Sequence, residues 1–342
     1  MSFFADSVDS RRVARAATAL LGLALIGTSC DRRDANYSFL PDDPVAETVA
    51  DPAETTAPVE EAVAPVETPE APAEREETHP APTSKDKASN AKVEVVVDAE
   101  RSRIEITTES AAFDGFATDG ERAQARQTKV VRGVGPITRR GMEELALAAP
   151  TLVEFLWTDA QLDADAESAF QALAKAPRLK KVRLTGLRDG QGKFPSYVLS
   201  ALSATPSLVD LDLSGSSQLS AAELADVNFK TGFQRLERLN FYGDPVGDAG
   251  VDAIMPLADR LVWLNLDDAG ITSSSAPKIG RFQKLTFLHV GRSQIDDGSL
   301  REIAKLTKLE KVHITRSNAT EAGAEELRRA LPNCVVVSQP EN

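Results

Sequence analysis

Cysteine is close to absent from this chain of 342 residues, which holds only Cys30 and Cys334. One pair cannot build a disulfide framework. Aromatic residues are scarce too, at 5%, so a core has to be made mostly of Leu, Val, Ile and Ala. Basic charge is not in excess: the formal net charge is -13 and no basic face stands out. That argues against nucleic acid as the main partner. The motifs of common catalysts are missing as well. There is no Gly-x-x-x-x-Gly-Lys, no Gly-x-Gly-x-x-Gly after a strand, no His-Glu-x-x-His and no Gly-x-Ser-x-Gly. The cluster Gly186, Gly190 and Gly192 leads into Lys193-Phe194-Pro195, not into a phosphate-binding helix start. No catalytic residue, metal or cofactor is expected. What remains, 42% hydrophobic and 27% charged, fits a soluble globular protein.

The acidity is unevenly placed. Asp31 to Pro80 carries fourteen Asp and Glu against three Arg. Residues 1–30 carry a small positive excess from Arg11, Arg12 and Arg15, and the chain beyond Pro80 is close to neutral. Behind those arginines, Val13 to Thr28 is apolar save for Arg15. It is too short to span a bilayer, which takes ~20 apolar residues. Charge, length and small terminal residues match a secretory signal peptide over 1–30. Its end, Gly27-Thr28-Ser29-Cys30, resembles the lipobox of bacterial lipoproteins, although that family prefers Leu where Gly27 stands. The resemblance implies lipidation of Cys30, export, and attachment to a membrane of the bacterial envelope. A plain secretory signal is the alternative. Residues 31–90, rich in Pro, Ala, Glu and Thr, have little to bury and repel themselves, so they read as a disordered tether.

The rest of the chain repeats. A frame Leu-x-x-Leu-x-Leu starts at Leu152, Leu179, Leu208, Leu236, Leu261, Leu285 and Leu309, and every fourth and sixth position is apolar. Starts lie 24 to 29 residues apart. Position eleven is apolar in four repeats, as at Val246 and Ile271, and position nineteen in five, as at Phe170 and Ile254. Period two gives way to helical spacing, so each unit reads strand, turn, helix. A degenerate unit precedes these, with a strand near 128–134. A half unit closes the C-terminus with Cys334 and Val337, which makes Cys334 a buried capping side chain. The stretch Arg188 to Pro195 looks like an inserted loop. Val93–Val97 and Arg103–Thr107 are read as a hairpin. With Phe113 and Phe116 it makes residues 91–126 an N-terminal cap on a repeat domain of 127–342.

This pattern resembles the leucine-rich-repeat family, near its bacterial and ribonuclease-inhibitor-like classes. It implies an α/β solenoid, a horseshoe with a parallel concave sheet and convex helices. One departure is clear. The family's asparagine at position nine is replaced by Ala160, Leu187, Ser216, Asp244, Ala269, Ser293 and Ser317, so turn hydrogen bonds must be met in another way.

In such a fold, positions one, four and six face the core, and positions three and five face outward in ladders. Position three reads Glu154, Lys181, Asp210, Arg238, Trp263, Phe287, Lys311; position five reads Leu156, Arg183, Asp212, Asn240, Asn265, His289, His313. The alternating charges of the first ladder are enough to explain it as cross-strand pairing. Its aromatic half is different. Trp263 and Phe287 are placed outward and adjacent, surrounded by Tyr242, Asn265, His289 and His313. Exposed aromatics with a polar rim are the usual form of a protein-binding hot spot. The alternative is that the N-terminal segment or the linker folds back over them. His289 and His313 alone, even with Asp267 or Asp268, fall short of a zinc ligand set. The functional expectation is therefore an envelope-anchored binder, not an enzyme, that takes a protein partner on its concave face. Alternatives are a small-ligand or glycan-binding accessory module on the same strip, or a structural spacer.

Overall fold

The computed structural model describes residues 92–109 and 111–339. The signal-like segment with Cys30 and the whole of the acidic tether over 31–90 lie outside the described residues. Twelve strands are present among them: β1 (Lys92–Asp98), β2 (Arg103–Glu109), β3 (Val130–Ile137), β4 (Glu154–Leu162), β5 (Lys181–Thr185), β6 (Arg188–Asp189), β7 (Asp210–Asp212), β8 (Arg238–Asn240), β9 (Trp263–Asn265), β10 (Phe287–His289), β11 (Lys311–His313) and β12 (Val335–Val337). They form one sheet in sequence order, except that the short β6 pairs with β4 beyond β5. Only β1 and β2 are antiparallel, around a turn closed by Ser102 N–H donating to the Ala99 carbonyl at 3.2 Å. Every other pairing is parallel. Each parallel step needs a crossover, and short helical segments supply most of them.

The repeat frame and the strand register coincide. Leu211 pairs with Leu239, Leu239 with Leu264, and Leu264 with Leu288, all at position four. Positions one, four and six bury together, as Leu236, Leu239 and Phe241 do. Each such side chain contributes about 1.5–3 kcal/mol on leaving water. Trp157 sits at an inward position six, where its Nε1–H donates to the Gly135 carbonyl at 2.7 Å. Its ring stacks on Phe155 and touches Phe113.

Position eight has a left-handed backbone turn in each of the seven full repeats; it follows the strand in six of them and lies within β4 in the first. Asp159, Gly186, Gly215, Gly243, Asp268, Arg292 and Arg316 all have φ between 44° and 74°. Three glycines adopt this left-handed conformation freely; the other four hold it against a steric cost. In three of the seven repeats a hydroxyl stands at position nine in place of the missing asparagine ladder. Ser216, Ser293 and Ser317 Oγ–H donate to the carbonyls of Leu213, Val290 and Ile314 at 2.6–2.7 Å. Each therefore satisfies the carbonyl three residues back.

Helix starts are tied from repeat to repeat. Asp296 caps Asp297–Ile303 through Ser299 N–H at 2.8 Å. Asp297 then accepts from Thr320, the cap of the following helix Glu321–Ala330, at 2.7 and 2.8 Å. Asp248 does the same for Thr272 and Ser275 two repeats earlier. The stretch expected as a loop is partly sheet: Arg188 and Asp189 pair with Gln161 and Leu162. Asp189 Oδ1 then folds the remainder, accepting from the N–H groups of Gln191 and Lys193 at 2.8 Å. Cys334 is buried, and burial pushes its thiol up to about 11. No helix among the described residues is long and apolar enough to cross a membrane.

Candidate functional site

The sheet has two faces, and the one opposite the core carries the odd positions of each strand. The register joins them into two columns across neighbouring strands. Position three runs Glu154, Lys181, Asp210, Arg238, Trp263, Phe287, Lys311. Position five runs Leu156, Arg183, Asp212, Asn240, Asn265, His289, His313.

The first half of these columns is ionic. Asp210 Oδ2 lies 3.7 Å from both Lys181 Nζ and Arg238 Nε, and Arg183 Nε meets Asp212 Oδ2 at 3.0 Å. Burial nevertheless dominates. It pushes the Asp210 carboxyl up to about 7 against the pull of both cations. It also raises Asp212 despite Arg183. Below this face, Asp244 at position nine is buried and held well above the usual carboxylate range, although it accepts from Ser216 N–H at 2.7 Å. Desolvating a carboxylate costs more than partners at these distances return.

The second half is aromatic. Trp263 and Phe287 stack with centroids 4.7 Å apart and planes 5° from parallel. Arg238 lies over the other face of Trp263 at 5.1 Å. His313 sits 5.6 Å from Phe287 and 4.7 Å from His289. Alongside, Arg292 binds Asp267 at 2.8 Å and stands 5.3 Å over the Tyr242 ring. Gly291 leaves room for this cluster. A Cβ there would come within 2.8 Å of Asp267 Oδ1 and the Thr315 carbonyl, and 2.9 Å of His289 Nε2. Burial, with help from His289 and Lys311, pushes His313 down to about 3, so its ring is neutral at pH 7.

The expected site residues thus come together, but not as the exposed patch the sequence suggested. Trp263 is only 6% exposed, and Asn265, His289 and His313 are more deeply buried still. The physical reason is the strand spacing of about 4.8 Å. Flat side chains stacked at that interval close each other's faces, leaving Phe287 and Tyr242 half-buried at the surface. Asn265 also has a backbone role. Its Oδ1 accepts from Asp267 N–H at 2.9 Å, as Asn240 does from Tyr242 N–H at 3.0 Å. The sequence reading missed Arg238, Arg292 and Gly291 as members of the cluster. The recurrence of Gly186, Gly215 and Gly243 at position eight was a signal that would have put Arg292 at a left-handed turn beside the strip. Among the described residues, no group of three or more His, Cys, Asp and Glu side chains is placed to hold a metal ion.

With its parallel sheet, aliphatic frame and one left-handed turn per unit, the architecture is decided. The fold is a leucine-rich-repeat solenoid. No family model matches the chain, and no curated protein matches it either. Similar solved structures include internalin C2 from Listeria monocytogenes. That likeness has 20% identity and a TM-score of 0.44, covering 64% of this chain and 83% of the other. Another is a chain of the Rad7–Elc1 complex in yeast, at 12% identity and a TM-score of 0.31, covering 64% and 77%. Likenesses this distant carry no argument about function. The assignment of the fold rests on the strand register.

Proposed function

We propose that this leucine-rich-repeat domain is a protein-binding module, not an enzyme. It takes its partner on the open sheet face at β9 to β11. The observation that carries the reading is the parallel Trp263–Phe287 stack, which lies on the face opposite the hydrophobic core. Phe287 and Tyr242 offer apolar surface, and Arg292 and Lys311 offer charge beside it. Trp263, Asn265, His289 and His313 lie beneath and hold that surface in shape. Large rigid rings beside guanidinium groups give much contact area for little lost side-chain entropy.

The test uses cross-linking in intact cells, then recovery of the full chain and its bound proteins. Phe287→Ala together with Tyr242→Ala should reduce recovery of the partner at least tenfold, as expected for loss of a hot spot of about 2 kcal/mol. Recovery equal to wild type, with the domain still folded, would remove the reading. The same proposal puts the domain on a tether: export by residues 1–30 and lipid attachment at Cys30. Labelled fatty acid should enter the wild-type chain and not Cys30→Ser. Equal labelling of both would end the anchoring half of the proposal.

A further inference from the structure

We propose that β1 is the interface of a homodimer: in two copies of the chain the β1 strands pair antiparallel about Val95 and join the two sheets edge to edge. This surface is separate from the aromatic strip and does not depend on the binding reading above.

The sheet has two outer strands, β1 and β12. They are unequal. β12 has three residues, and shortness is one of the ways in which an edge is kept from pairing. β1 has seven residues and no proline, and its register with β2 runs from Lys92 to Asp98 without a bulge. Among the described residues its sheet neighbour is β2 alone. Every second residue therefore turns its N–H and carbonyl toward the outer edge.

The buried core also stops one strand short of that edge. Val95 and Val97 stand opposite Ile106 and Ile104 of β2. The isoleucines are 1% and 0% exposed, whereas Val93, Val95 and Val97 pack on the core only half-buried. A further strand with apolar residues in the same phase would close them.

β1 is itself such a strand. With Val95 opposite its own copy, all seven positions are paired, Val93 with Val97 and Glu94 with Val96. Val96 is 49% exposed in the single chain. Directly opposite residues of an antiparallel pair share a face, so the inward valines of both copies meet on the core side. Charge selects this register. Moving the two-fold axis to Val96 sets Glu94 opposite Asp98, and moving it to Glu94 sets that residue opposite its own copy. Like charges directly opposite are destabilising. A slip by one residue would turn the valines of one copy to the other face. Because the core sides coincide, the two open faces lie on one side of a continuous sheet. Seven strand steps separate β1 from β9, which is about 34 Å, so both aromatic strips stay clear of the junction.

Light scattering on the full chain tests this, and the expected mass is that of two chains. Val95→Lys sets two like charges opposite each other at the centre of the pair and should raise the dimer dissociation constant at least tenfold. Oxidation of cysteine variants in a Cys30→Ser background reads the register independently. Glu94→Cys mixed with Val96→Cys should give a disulfide-linked dimer, because directly opposite Cβ atoms stand about 4.5–5.5 Å apart. Val96→Cys alone should give several-fold less. Where Val95→Lys does not fold, the disulfide pattern alone decides. A single-chain mass at every concentration overturns the proposal. So does a dimer that folded Val95→Lys leaves intact, or one in which Val96→Cys alone links as well as the mixture, since either puts the contact elsewhere.

Discussion

The two tryptophans lie on opposite sides of one sheet, and their surroundings differ in kind. Trp157 points into the core, packed on Phe155 and Phe113, with its N–H satisfied by a carbonyl. Trp263 points the other way and is closed off by a guanidinium on one face and a phenyl ring on the other. Both are buried. One is buried by the collapse of the whole fold, the other by its column neighbours. Burial alone thus does not distinguish a core residue from a residue of a functional strip; the identity of the covering atoms does.

Truncation should separate them. Trp157→Ala removes a core side chain and should cost about 3–5 kcal/mol of unfolding free energy. Trp263→Ala loses mainly one stacked ring and one cation contact, and should cost about 1–2 kcal/mol. Denaturant titration of both variants checks this. Equal costs would mean that Trp263 is a core residue after all.

The ionic and aromatic halves of the open face should respond to pH with opposite slopes. Asp210 has a folded pKa of about 7 against an ordinary 3.8. The folded chain therefore holds its proton more tightly, and the stability contributed is full below 3.8 and lost as pH rises through 7. His313 has a folded pKa of about 3 against 6.5. Its contribution is full above 6.5 and lost as pH falls toward 3. Asp210→Asn should flatten the fall between those limits, and His313→Gln should flatten the rise, each by about 4 kcal/mol. Unfolding midpoints measured across that range decide it. A variant whose slope matches wild type would show that its group titrates normally.

Smaller effects sharpen the contrast between well-fitted and strained positions. Asp244 is buried at position nine, and burial holds it well above its normal range. Asp244→Asn should therefore gain about 1 kcal/mol at neutral pH, read as a higher thermal midpoint; a lower midpoint would refute it. Arg316 is exposed and has φ of 55° at position eight. Arg316→Gly relieves the left-handed strain but loosens the unfolded chain, for a net gain of about 0.5 kcal/mol. Gly215→Ala at the equivalent turn should be destabilising, and a neutral result in both variants would remove the strain argument.

The repeat was legible because leucine, valine and isoleucine recur at positions one, four and six, and no other arrangement buries them all. The ladders were legible for the same reason, since register follows from the frame. The replacement of the asparagine ladder by serine hydroxyls was not legible, because position nine shows three chemistries and only coordinates reveal the carbonyl each one meets. The exposure of Trp263, His289 and His313 was misjudged on similar grounds. An outward direction is a property of one strand, while solvent access depends on what the adjacent strands set beside it.

By itself the sequence determined which side chains face inward, because the alternation of a strand is a local property of the backbone. It determined the order of the strands, because a repeat can bury its apolar edge only against its neighbours. Tertiary structure alone decided that Arg238 closes Trp263, that Gly291 makes room for Asp267 and His289, and that burial raises the carboxyl groups of Asp210, Asp212 and Asp244 and lowers the His313 imidazole. Those outcomes depend on distances between residues some twenty-five positions apart, which no local pattern encodes.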